Sequence, residues 1–375
     1  MEEKKLKVLF FIDRLLWGGI QGLVYDILKH NDNQWMKIDI LNLDDGKEYP
    51  LTNTLKEMGI NVYQLKDTWI RTLFDFPNYF EQIDKFFATH HDYDVVHMHS
   101  SSKNYYILKA AKKYGIPVRV AHSHNTGFQT HNPLSIFIGD LMKRPLKRYA
   151  THCCGCSNLA CEWMFGKGCV EQGKAKVILN AINSQPFIYD KEIRKEIRKE
   201  LDIEDKFVIG HIGRLERQKN HDFLIDIFGE VAKLKNNAYL LLVGTGSLQR
   251  MLEQKVAALG LADKVIFLGF RDDRNRILQA MDSFVFPSLY EGFGIGVIEA
   301  EAAGLPVFAS VNVPKDVKFT PDTFFLSLQQ PAELWADTIV KKGQIIRKDM
   351  SEEIKKAGFE IQTMIDNLYK LYTGK

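Results

Sequence analysis

The stretch FVFPSLYEGFGIGVIEAE, residues 284–301, decides how the chain folds. Its first three residues are apolar and β-prone, which predicts a buried strand. Gly292, Gly294 and Gly296 follow, and the residues after them have the composition of a helix. A strand, a glycine turn and a helix in immediate succession form the unit from which helix-covered parallel sheets are built.

The same turn carries two carboxylates. Glu291 lies on the loop, and Glu299 lies about one turn into the predicted helix. Free backbone amides at a helix start suit anionic or hydroxyl oxygens, and two converging carboxylates accept hydrogen bonds from sugar hydroxyls. A structural turn followed by a solvated helix face explains the same pattern, so the motif alone leaves both interpretations open.

A second polar segment, GRLERQKN at 213–220, directly follows the apolar run 207–212. Arg214 is then at the carboxyl end of a strand and Lys219 opens the next helix, which places two cations beside a helix N-terminus and suits a diphosphate. It is not a P-loop, because the pattern GxxxxGK[ST] is absent. We expect both side chains to be exposed. A solvated basic turn is the alternative interpretation.

Short apolar runs alternate with helical-period segments and form two series. The runs are 7–12, 38–43, 61–65, 94–98, 118–122 and 177–180, then 207–212, 239–243, 265–268, 284–286 and 306–309. This order predicts an α/β protein with two doubly wound, Rossmann-like domains and ligands in the cleft between the sheets. We assign 1–185 to the N-terminal domain, 186–350 to the C-terminal domain, and 351–375 to a C-terminal helix that packs on the N-terminal domain.

Composition restricts the class of protein. The 375 residues are 45% hydrophobic and 26% charged, which is typical of a globular chain of two domains and not of a disordered or fibrous one. The net charge of +3 gives no support for nucleic-acid binding. Apolar runs are shorter than a membrane span, and the run at 8–12 is too short for a signal-peptide core, so we expect a cytoplasmic protein.

All five cysteines lie between Cys153 and Cys169, and Cys153 and Cys156 have C-x-x-C spacing beside His152. An odd number of cysteines in a chain without an export signal argues against a disulfide framework. A zinc or redox site would need further ligands, and the sequence has no second C-x-x-C pair. We therefore interpret these residues as buried free thiols.

With these motifs, the chain resembles the retaining, GT-B-fold glycosyltransferases of family 4. In the second half the resemblance rests on GRLERQKN, on VGTG at 243–246, on VIFLGF at 265–270, and on Glu291 and Glu299. In the first half it rests on WGGIQ at 17–21, DVVHMH at 94–99, RVAHSHN at 119–125, CSN at 156–158, WMFG at 163–166 and VILNA at 177–181. The HSHN and WMFG segments are most similar to bacterial capsular and exopolysaccharide enzymes.

The resemblance implies a role for each matching residue. Arg214 and Lys219 would hold the donor diphosphate, while Glu299 would accept the ribose hydroxyls. Glu291 would contact the transferred sugar, and His124 would lie beside this sugar and the acceptor, which completes the catalytic set. The other donor-binding residues implied are Gly19, Gly213, Gly244, Phe270, Gly292, Phe293, Gly294 and Ile295. The other acceptor-binding residues implied are Gly18, Gln21 and Asn125.

The family uses no metal and no cofactor, so we expect none here. The D-x-D string at 92–94 opens a strand rather than closing one, which argues against a metal-bound nucleotide. Of the clustered His97, His99, His122 and His124, we expect only His124 to be functional and the others to be packed or solvated.

The implied activity is retaining transfer of a hexose or N-acetylhexosamine from a UDP-linked sugar to a lipid-linked saccharide in polysaccharide biosynthesis. Segment 133–149 joins an apolar stretch to Lys143, Arg144, Lys147 and Arg148. It is either a contact with anionic lipid at the inner face of the cell membrane or an ordinary helix with a basic end. The alternatives are a same-fold synthase with a small soluble acceptor and a non-catalytic carbohydrate-binding or scaffold subunit.

Two short segments depart from the family pattern. The chain has Ala309-Ser310-Val311 where the family has A-S-D, and Asn180-Ala181 where it has N-G. Both lie outside the expected charge-binding set, so they leave the choice of sugar and the hinge open.

Overall fold

The computed structural model of the protein describes residues 5–16, 18–31, 35–66, 76–128 and 132–375. Trp17 of the WGGIQ segment lies outside them. The chain divides into two compact units, of which the first comprises Met1–Ala181 and Ile361–Lys375 and the second Ile182–Glu360. Each unit is a parallel sheet with helices, so the predicted α/β class with two Rossmann-like domains is confirmed.

The described part of the first unit contains a seven-stranded parallel sheet in the order β3-β2-β1-β4-β5-β6-β7. Its strands are β1 (Leu6–Ile12), β2 (Met36–Asp44), β3 (Val62–Lys66), β4 (Val95–His99), β5 (Val118–Ser123), β6 (His152–Gly155) and β7 (Lys176–Val177). Its helices are α1 (Gly19–His30), α2 (Pro50–Glu57), α3 (Phe76–Thr89), α4 (Tyr105–Lys113), α5 (Pro133–Tyr149), α6 (Asn158–Phe165) and, from the end of the chain, α14 (Ile361–Thr373).

The central strand β1 explains why this sheet is buried on both sides. Val8, Phe10 and Ile12 point to a core that includes residues of α1 and α14. Leu9 and Phe11 point to a second core that includes residues of α3 and α4. Successive side chains of a strand alternate between faces, so an unbroken apolar run is what a parallel sheet covered by helices on both faces requires.

The second unit contains, among the described residues, a six-stranded parallel sheet in the order β10-β9-β8-β11-β12-β13. Its strands are β8 (Phe207–Ile212), β9 (Ala238–Val243), β10 (Val265–Gly269), β11 (Ser283–Phe286), β12 (Val307–Ser310) and β13 (Thr323–Leu326). Its helices are α7 (Lys191–Glu200), α8 (His221–Leu234), α9 (Gln249–Ala258), α10 (Arg274–Ala280), α11 (Ile295–Ala302), α12 (Ala332–Lys342) and α13 (Ser351–Ala357). The edge strand β13 is not among the predicted strands.

The C-terminal segment 351–375 differs from the single helix predicted. It forms two helices, of which α13 belongs to the second unit and α14 to the first. Gly358 ends α13 with a φ of +80°, a left-handed conformation that glycine adopts without steric strain. The apolar face of α14 is buried in the core of the first unit through Ile361, Met364, Ile365, Leu368, Leu371 and Tyr372.

The five cysteines are free thiols, and four of them are buried. Cys153 is half-buried, and burial raises the pKa of its thiol to about 11. A thiol protonated at neutral pH is a poor nucleophile, so the interpretation as packed free thiols is confirmed.

The buried face of α14 makes the first unit dependent on the end of the chain. Leu368 is fully buried, so Leu368→Ala should lower the free energy of unfolding by about 2–5 kcal/mol through lost apolar contacts and a cavity. The exposed Lys370 on the same helix is the control, and Lys370→Ala should change stability by less than about 0.5 kcal/mol. Denaturant unfolding measures both, and equal effects would contradict this packing.

Candidate active site

The loops that follow β8 and β11 meet at the carboxyl edge of the second sheet. These strands are neighbours, and the strand order reverses between them, which is where open parallel sheets bind ligands. Lys219 comes from the first loop and Glu291 from the second. Lys219 Nζ lies 2.6 Å from Glu291 Oε1, with side chains 17% and 8% exposed. The structure therefore unites two of the predicted site residues in one largely buried ion pair, and the expectation that Lys219 is exposed is wrong.

Hydrogen bonds to backbone carbonyls hold these two loops together around the ion pair. The Leu289 N–H donates to the Gln218 carbonyl at 2.8 Å, and the Asn220 side chain donates to the Pro287 carbonyl at 3.1 Å. Asn220 has a left-handed φ of +57°, which separates the 3-10 turn Arg217–Lys219 from α8. Lys219 therefore lies just before the helix rather than opening it.

Arg214 is exposed, as predicted, on a loop fixed by the loop after β9. The Leu215 N–H donates to the Thr245 carbonyl at 3.0 Å. Glu216 accepts the N–H and the hydroxyl of Ser247 at 2.9 and 2.8 Å, and the backbone N–H bond in particular lowers the pKa of this carboxyl. A rigid backbone thus carries a cation that projects into solvent.

Packing explains why the VGTG segment, residues 243–246, begins with a glycine after Val243. Gly244 has a φ of +133°, and a Cβ at this position would lie 2.1 Å from the carbonyl oxygen of Gly213. Only glycine allows the two strand-end loops to approach so closely. The role of Gly213 and Gly244 in donor binding stays a prediction.

The glycine turn before α11 is buried from Gly292 to Gly294. Gly294 is the N-cap of α11, which begins at Ile295. The Phe293 side chain is 2% exposed, and its ring packs against Phe359 with centroids 5.9 Å apart. The proposed donor contacts of the amides of Gly292 to Ile295 stay predictions.

Glu299 is bound by a cation that the sequence analysis missed. Arg274 at the start of α10 places Nη2 3.0 Å from Glu299 Oε1, and the Glu299 side chain is 5% exposed. The neighbouring Arg271 and Arg276 pair instead with other carboxylates of the unit. In the sequence, Arg274 is distinguished only by its position shortly after a predicted strand. The other two arginines of RDDRNR, residues 271–276, have the same position, so the sequence does not indicate which of the three binds Glu299. Phe270, the residue that directly follows β10, is 63% exposed.

The carboxyl edge of the first sheet carries histidines. His97 and His99 lie on β4, His122 lies on β5, and His124 follows β5. All four are buried, which lowers the pKa of His97, His99 and His122 well below the usual value and that of His124 to about 4. The Asn180 side chain partly opposes the shift at His124. The four rings are therefore neutral at pH 7.

The three histidines other than His124 are packed in the core, and the four rings contact one another; a functional role for His124 alone stays a prediction. His99 Nδ1 lies 2.9 Å from His124 Nε2, and His97 Nε2 lies 3.0 Å from His122 Nδ1. One ring nitrogen each from His97, His99 and His122 lies within 4.8 Å of the others, so this group has the donor chemistry to hold a metal ion.

The remaining predicted acceptor residues follow β1 and β5, which both pair with β4. Gly18 is the N-cap of α1, Gly19 begins this helix, and the Gln21 amide donates to the Arg14 carbonyl at 2.7 Å. The Asn125 carbonyl accepts the Ser123 hydroxyl at 3.2 Å. Their proposed contacts with an acceptor stay predictions.

The D-x-D string has structural partners. The Lys7 side chain pairs with Asp92, and the Lys7 backbone N–H donates to Asp94 Oδ2 at 2.8 Å. Both carboxylates precede β4, so they lie towards the amino edge of the sheet, away from the strand ends that carry the candidate site.

Two Rossmann-like units, the second with the Lys219–Glu291 ion pair and a glycine-rich helix start at the carboxyl edge of its sheet, are the architecture of a GT-B glycosyltransferase. The family models Glycosyltransferase Family 4 and Glycosyl transferases group 1 match residues 17–185 and 193–317. A UDP-Gal:alpha-D-GlcNAc-diphosphoundecaprenol alpha-1,3-galactosyltransferase of Escherichia coli is 30% identical over 75% of each chain. The protein belongs to glycosyltransferase family 4.

Two further similarities extend over nearly the whole chain. EpsF of Bacillus subtilis (strain 168), whose name describes it as a glycosyltransferase, is 26% identical over 99% of this chain and 97% of its own. The crystal structure of Anabaena HepE in complex with UDP-glucose has a TM-score of 0.80 at 21% identity, covering 99% of this chain and all of HepE. At this identity the HepE match shows the fold, which is GT-B.

The buried Lys219–Glu291 pair predicts an asymmetric response to substitution. Lys219→Met should lower the free energy of unfolding by about 3 kcal/mol, because a buried carboxylate loses its closest cation. Glu291→Gln should cost less, because the longer lysine side chain can reach water. Lys219→Met/Glu291→Gln should recover most of the loss, and additive losses in denaturant unfolding would contradict the pairing.

Proposed function

We propose that the protein is a retaining glycosyltransferase that moves a hexose or N-acetylhexosamine from a UDP-linked sugar to a lipid-linked saccharide in polysaccharide biosynthesis. The observation that carries the proposal is the buried ion pair of Lys219 with Glu291 at the strand-order reversal of the second sheet. The names of the Escherichia coli relative and of the HepE complex, with their UDP-linked sugars, support the choice of nucleotide.

In this proposal the leaving diphosphate is bound by cations and amides of the second unit. Lys219 exchanges its bond to Glu291 for a phosphate oxygen, and the exposed Arg214 closes on the same group. The amides at the start of α11 contribute further donors. Because charge builds up on the diphosphate as the sugar departs, these donors bind the transition state more strongly than the substrate.

The carboxylates of Glu299 and Glu291 bind the ribose and the sugar of the donor. Glu299 accepts the ribose hydroxyls and is held in place by Arg274, while Glu291, released from Lys219, accepts hydroxyls of the transferred sugar. A fully ionised carboxylate accepts hydrogen bonds only, which matches it to hydroxyl donors and not to phosphate oxygens.

The chemistry proposed is front-face substitution. The bond from the anomeric carbon to the diphosphate oxygen breaks, the acceptor oxygen bonds to the same face, and the acceptor proton passes to the departing diphosphate. The charges on Arg214 and Lys219 take the place of a metal ion, so we propose that no metal is needed.

The transfer assay that tests this function combines UDP-linked hexoses and N-acetylhexosamines with polyprenyl-diphosphate-linked sugars. We expect UDP release, an elongated lipid-linked product with the donor's anomeric configuration, and the same rate in excess EDTA as in magnesium. Product formed on free or phosphorylated sugars instead would identify a synthase with a soluble acceptor. No UDP release with any pair would indicate a non-catalytic subunit, and a magnesium-reversible loss in EDTA would contradict metal independence.

The proposal separates donor binding from the acceptor side. His124→Ala should lower transfer by about 10²-fold or more while changing UDP affinity only a few-fold, because His124 lies in the first unit. Arg214→Ala should lower the transfer rate, because the transition state loses about 2–4 kcal/mol of stabilisation. It should weaken UDP binding as well. Calorimetric titration with UDP and transfer rates measure both effects. Loss of UDP binding in His124→Ala in proportion to activity would contradict the division.

The exposed face of α5 supports a membrane contact for this lipid-linked chemistry. Leu134, Phe137 and Leu141 are 59%, 66% and 51% exposed. They are spaced three and four residues apart, and the exposed Arg144 and Arg148 continue the same face. Neither arginine has an ion-pair partner within the described ranges.

The other two cations of α5, Lys143 and Lys147, have partners within the protein. Lys143 is 14% exposed, pairs with Asp140 at 2.7 Å and lies 4.3 Å from the ring centroid of Trp163. Lys147 donates to the Phe165 carbonyl at 3.3 Å. An apolar stripe that ends in two unpaired arginines suits a surface of anionic lipid. No helix of the described segments has both the length and the apolarity to cross a bilayer.

Vesicle flotation tests this face. Arg144→Gln/Arg148→Gln should weaken binding to vesicles containing phosphatidylglycerol by about 1 kcal/mol per arginine, or about thirtyfold together. Lys355→Gln/Lys356→Gln, two exposed lysines of α13, is the matched control and should bind as the unaltered protein does. Equal binding to phosphatidylcholine vesicles and no effect of the arginine changes would contradict the contact.

A further inference from the structure

The two charges of the Lys219–Glu291 pair are bound to each other in the free protein. Lys219 Nζ lies 2.6 Å from Glu291 Oε1, and the two side chains are 17% and 8% exposed. A diphosphate that binds this ammonium must therefore first replace the carboxylate. Separating a largely buried ion pair is unfavourable unless the charges gain new partners.

Lys219 has neutral contacts that do not depend on Glu291. Its Nζ lies 4.6 Å from the centroid of the Phe286 ring, within the range of a cation–π contact. Phe286 is 1% exposed and stacks on His211, with ring centroids 5.4 Å apart. A Cβ on Gly213 would lie 3.3 Å from Lys219 Cδ and Cε, so the lysine stem runs close to the backbone there. Neither the Phe286 ring nor the glycine carries a charge, so neither competes with a phosphate oxygen for the ammonium.

Glu291 also has a neutral contact, which is weaker than the ion pair. Gln218 Nε2 donates to the Tyr290 carbonyl at 3.1 Å and to Glu291 Oε2 at 3.4 Å. An amide N–H at the longer distance binds a carboxylate less strongly than an ammonium at 2.6 Å does. The departure of Lys219 is therefore unfavourable for this carboxylate, and hydroxyl donors from a ligand offset that loss.

The substrate and the product of the proposed reaction differ in what they offer Glu291. A UDP-linked sugar brings a diphosphate for Lys219 and hydroxyl donors for Glu291, so both members of the pair gain a partner. UDP brings the diphosphate alone, so its binding separates the pair without giving the carboxylate a new donor. The separation of the pair is thus offset by the substrate and not by the product.

We propose that Glu291 competes with the diphosphate for Lys219, and that this competition makes the site selective for a sugar-bearing diphosphate over the nucleoside diphosphate that transfer leaves behind. The proposal rests on the function proposed above. A site that is mostly closed by its own ion pair binds a ligand with an affinity reduced by the fraction that is open. Once the sugar has left with the acceptor, Glu291 recovers Lys219, and this favours release of the diphosphate.

A permanently closed pair is the competing interpretation. Lys219 would then stay on Glu291 when a ligand binds, and the diphosphate would be held by Arg214 and backbone amides alone. Removal of the Glu291 carboxylate would strengthen the binding of UDP and of UDP-linked sugars alike, because both carry the diphosphate and both lose a nearby negative charge. The ratio of the two affinities therefore distinguishes the interpretations.

Calorimetric titration without an acceptor measures this ratio. The ligands are UDP and whichever of UDP-glucose, UDP-galactose and their N-acetylhexosamine counterparts binds the unaltered protein most tightly. Glu291→Gln should bind UDP about tenfold or more tightly than the unaltered protein does, because no charge holds Lys219 back. It should bind the UDP-linked sugar no more tightly, because the sugar hydroxyls meet a neutral and weaker acceptor.

Lys219→Met tests whether the effect of Glu291 passes through the lysine. Lys219→Met should weaken the binding of both ligands, because the diphosphate loses a cation. In this background, Glu291→Gln should no longer strengthen the binding of UDP, since there is no ion pair left to separate. The same gain in UDP affinity with and without Lys219 would overturn the proposal.

Glu216→Gln is the matched control for the loss of a negative charge. Glu216 precedes Lys219 on the same loop, and its carboxylate accepts the N–H and the hydroxyl of Ser247 rather than a lysine. Its substitution should leave the preference for the UDP-linked sugar over UDP unchanged. An equal gain for both ligands in Glu291→Gln, or the same change of preference in Glu216→Gln, would overturn the competition and leave the proposed function in place. Absence of binding by every ligand to the unaltered protein would contradict both.

Discussion

The ion pair between Lys219 and Glu291 is the interaction on which the second unit's active edge depends. It joins the loops after β8 and β11 across the point where the strand order reverses. A buried carboxylate needs a cation or several donors, so the pair fixes where both loops lie before any ligand arrives. The pair also keeps the Lys219 ammonium at the position where the proposed reaction needs it, because a diphosphate can replace the Glu291 carboxylate as its partner.

The two sheet edges have opposite electrostatic character. The second unit presents paired charges, with Lys219 on Glu291 and Arg274 on Glu299. The first unit presents four neutral rings, which burial keeps unprotonated at pH 7. A charged edge suits a nucleoside diphosphate, whereas neutral donors suit sugar hydroxyls and leave no net charge to repel or trap the diphosphate. The side chains of the two edges thus support the proposed division between donor and acceptor roles.

Sequence patterns predicted the sheets well and the partners of the site residues poorly. Continuous apolar runs located most strands, because a parallel strand buried on both faces must be apolar throughout. The edge strand β13 is only four residues long, and its apolar run of three residues, 324–326, was not among the predicted strands. The split of the C-terminal segment depends on the left-handed Gly358, whose effect an amphipathic pattern does not reveal.

The site residues show the same limit. Lys219 and Glu291 were each identified from their loops, but their pairing depends on which strands are neighbours, and sequence order does not give this. Arg274 was not predicted because Arg271 and Arg276 follow the same strand at a similar distance in the sequence. Only the fold shows that Arg274 is the one that contacts Glu299. The contacts between the histidines of the first sheet arise from the register of β4 with β5, which pairs residues 23 apart and so brings side chains 25 apart into contact on one face of the sheet.

The most direct test of the account is the binding of UDP to the edge that carries Glu299. Thermal unfolding with UDP, GDP and ADP, compared between the unaltered protein and Glu299→Gln, measures both the base preference and the location of the site. At 100 times its dissociation constant, UDP should stabilise the unaltered protein by about 2.7 kcal/mol. GDP and ADP should stabilise it less, and UDP should lose most of its effect in Glu299→Gln. Absence of stabilisation by all three nucleotides, or equal stabilisation of both proteins by UDP, would contradict the assignment of the donor site.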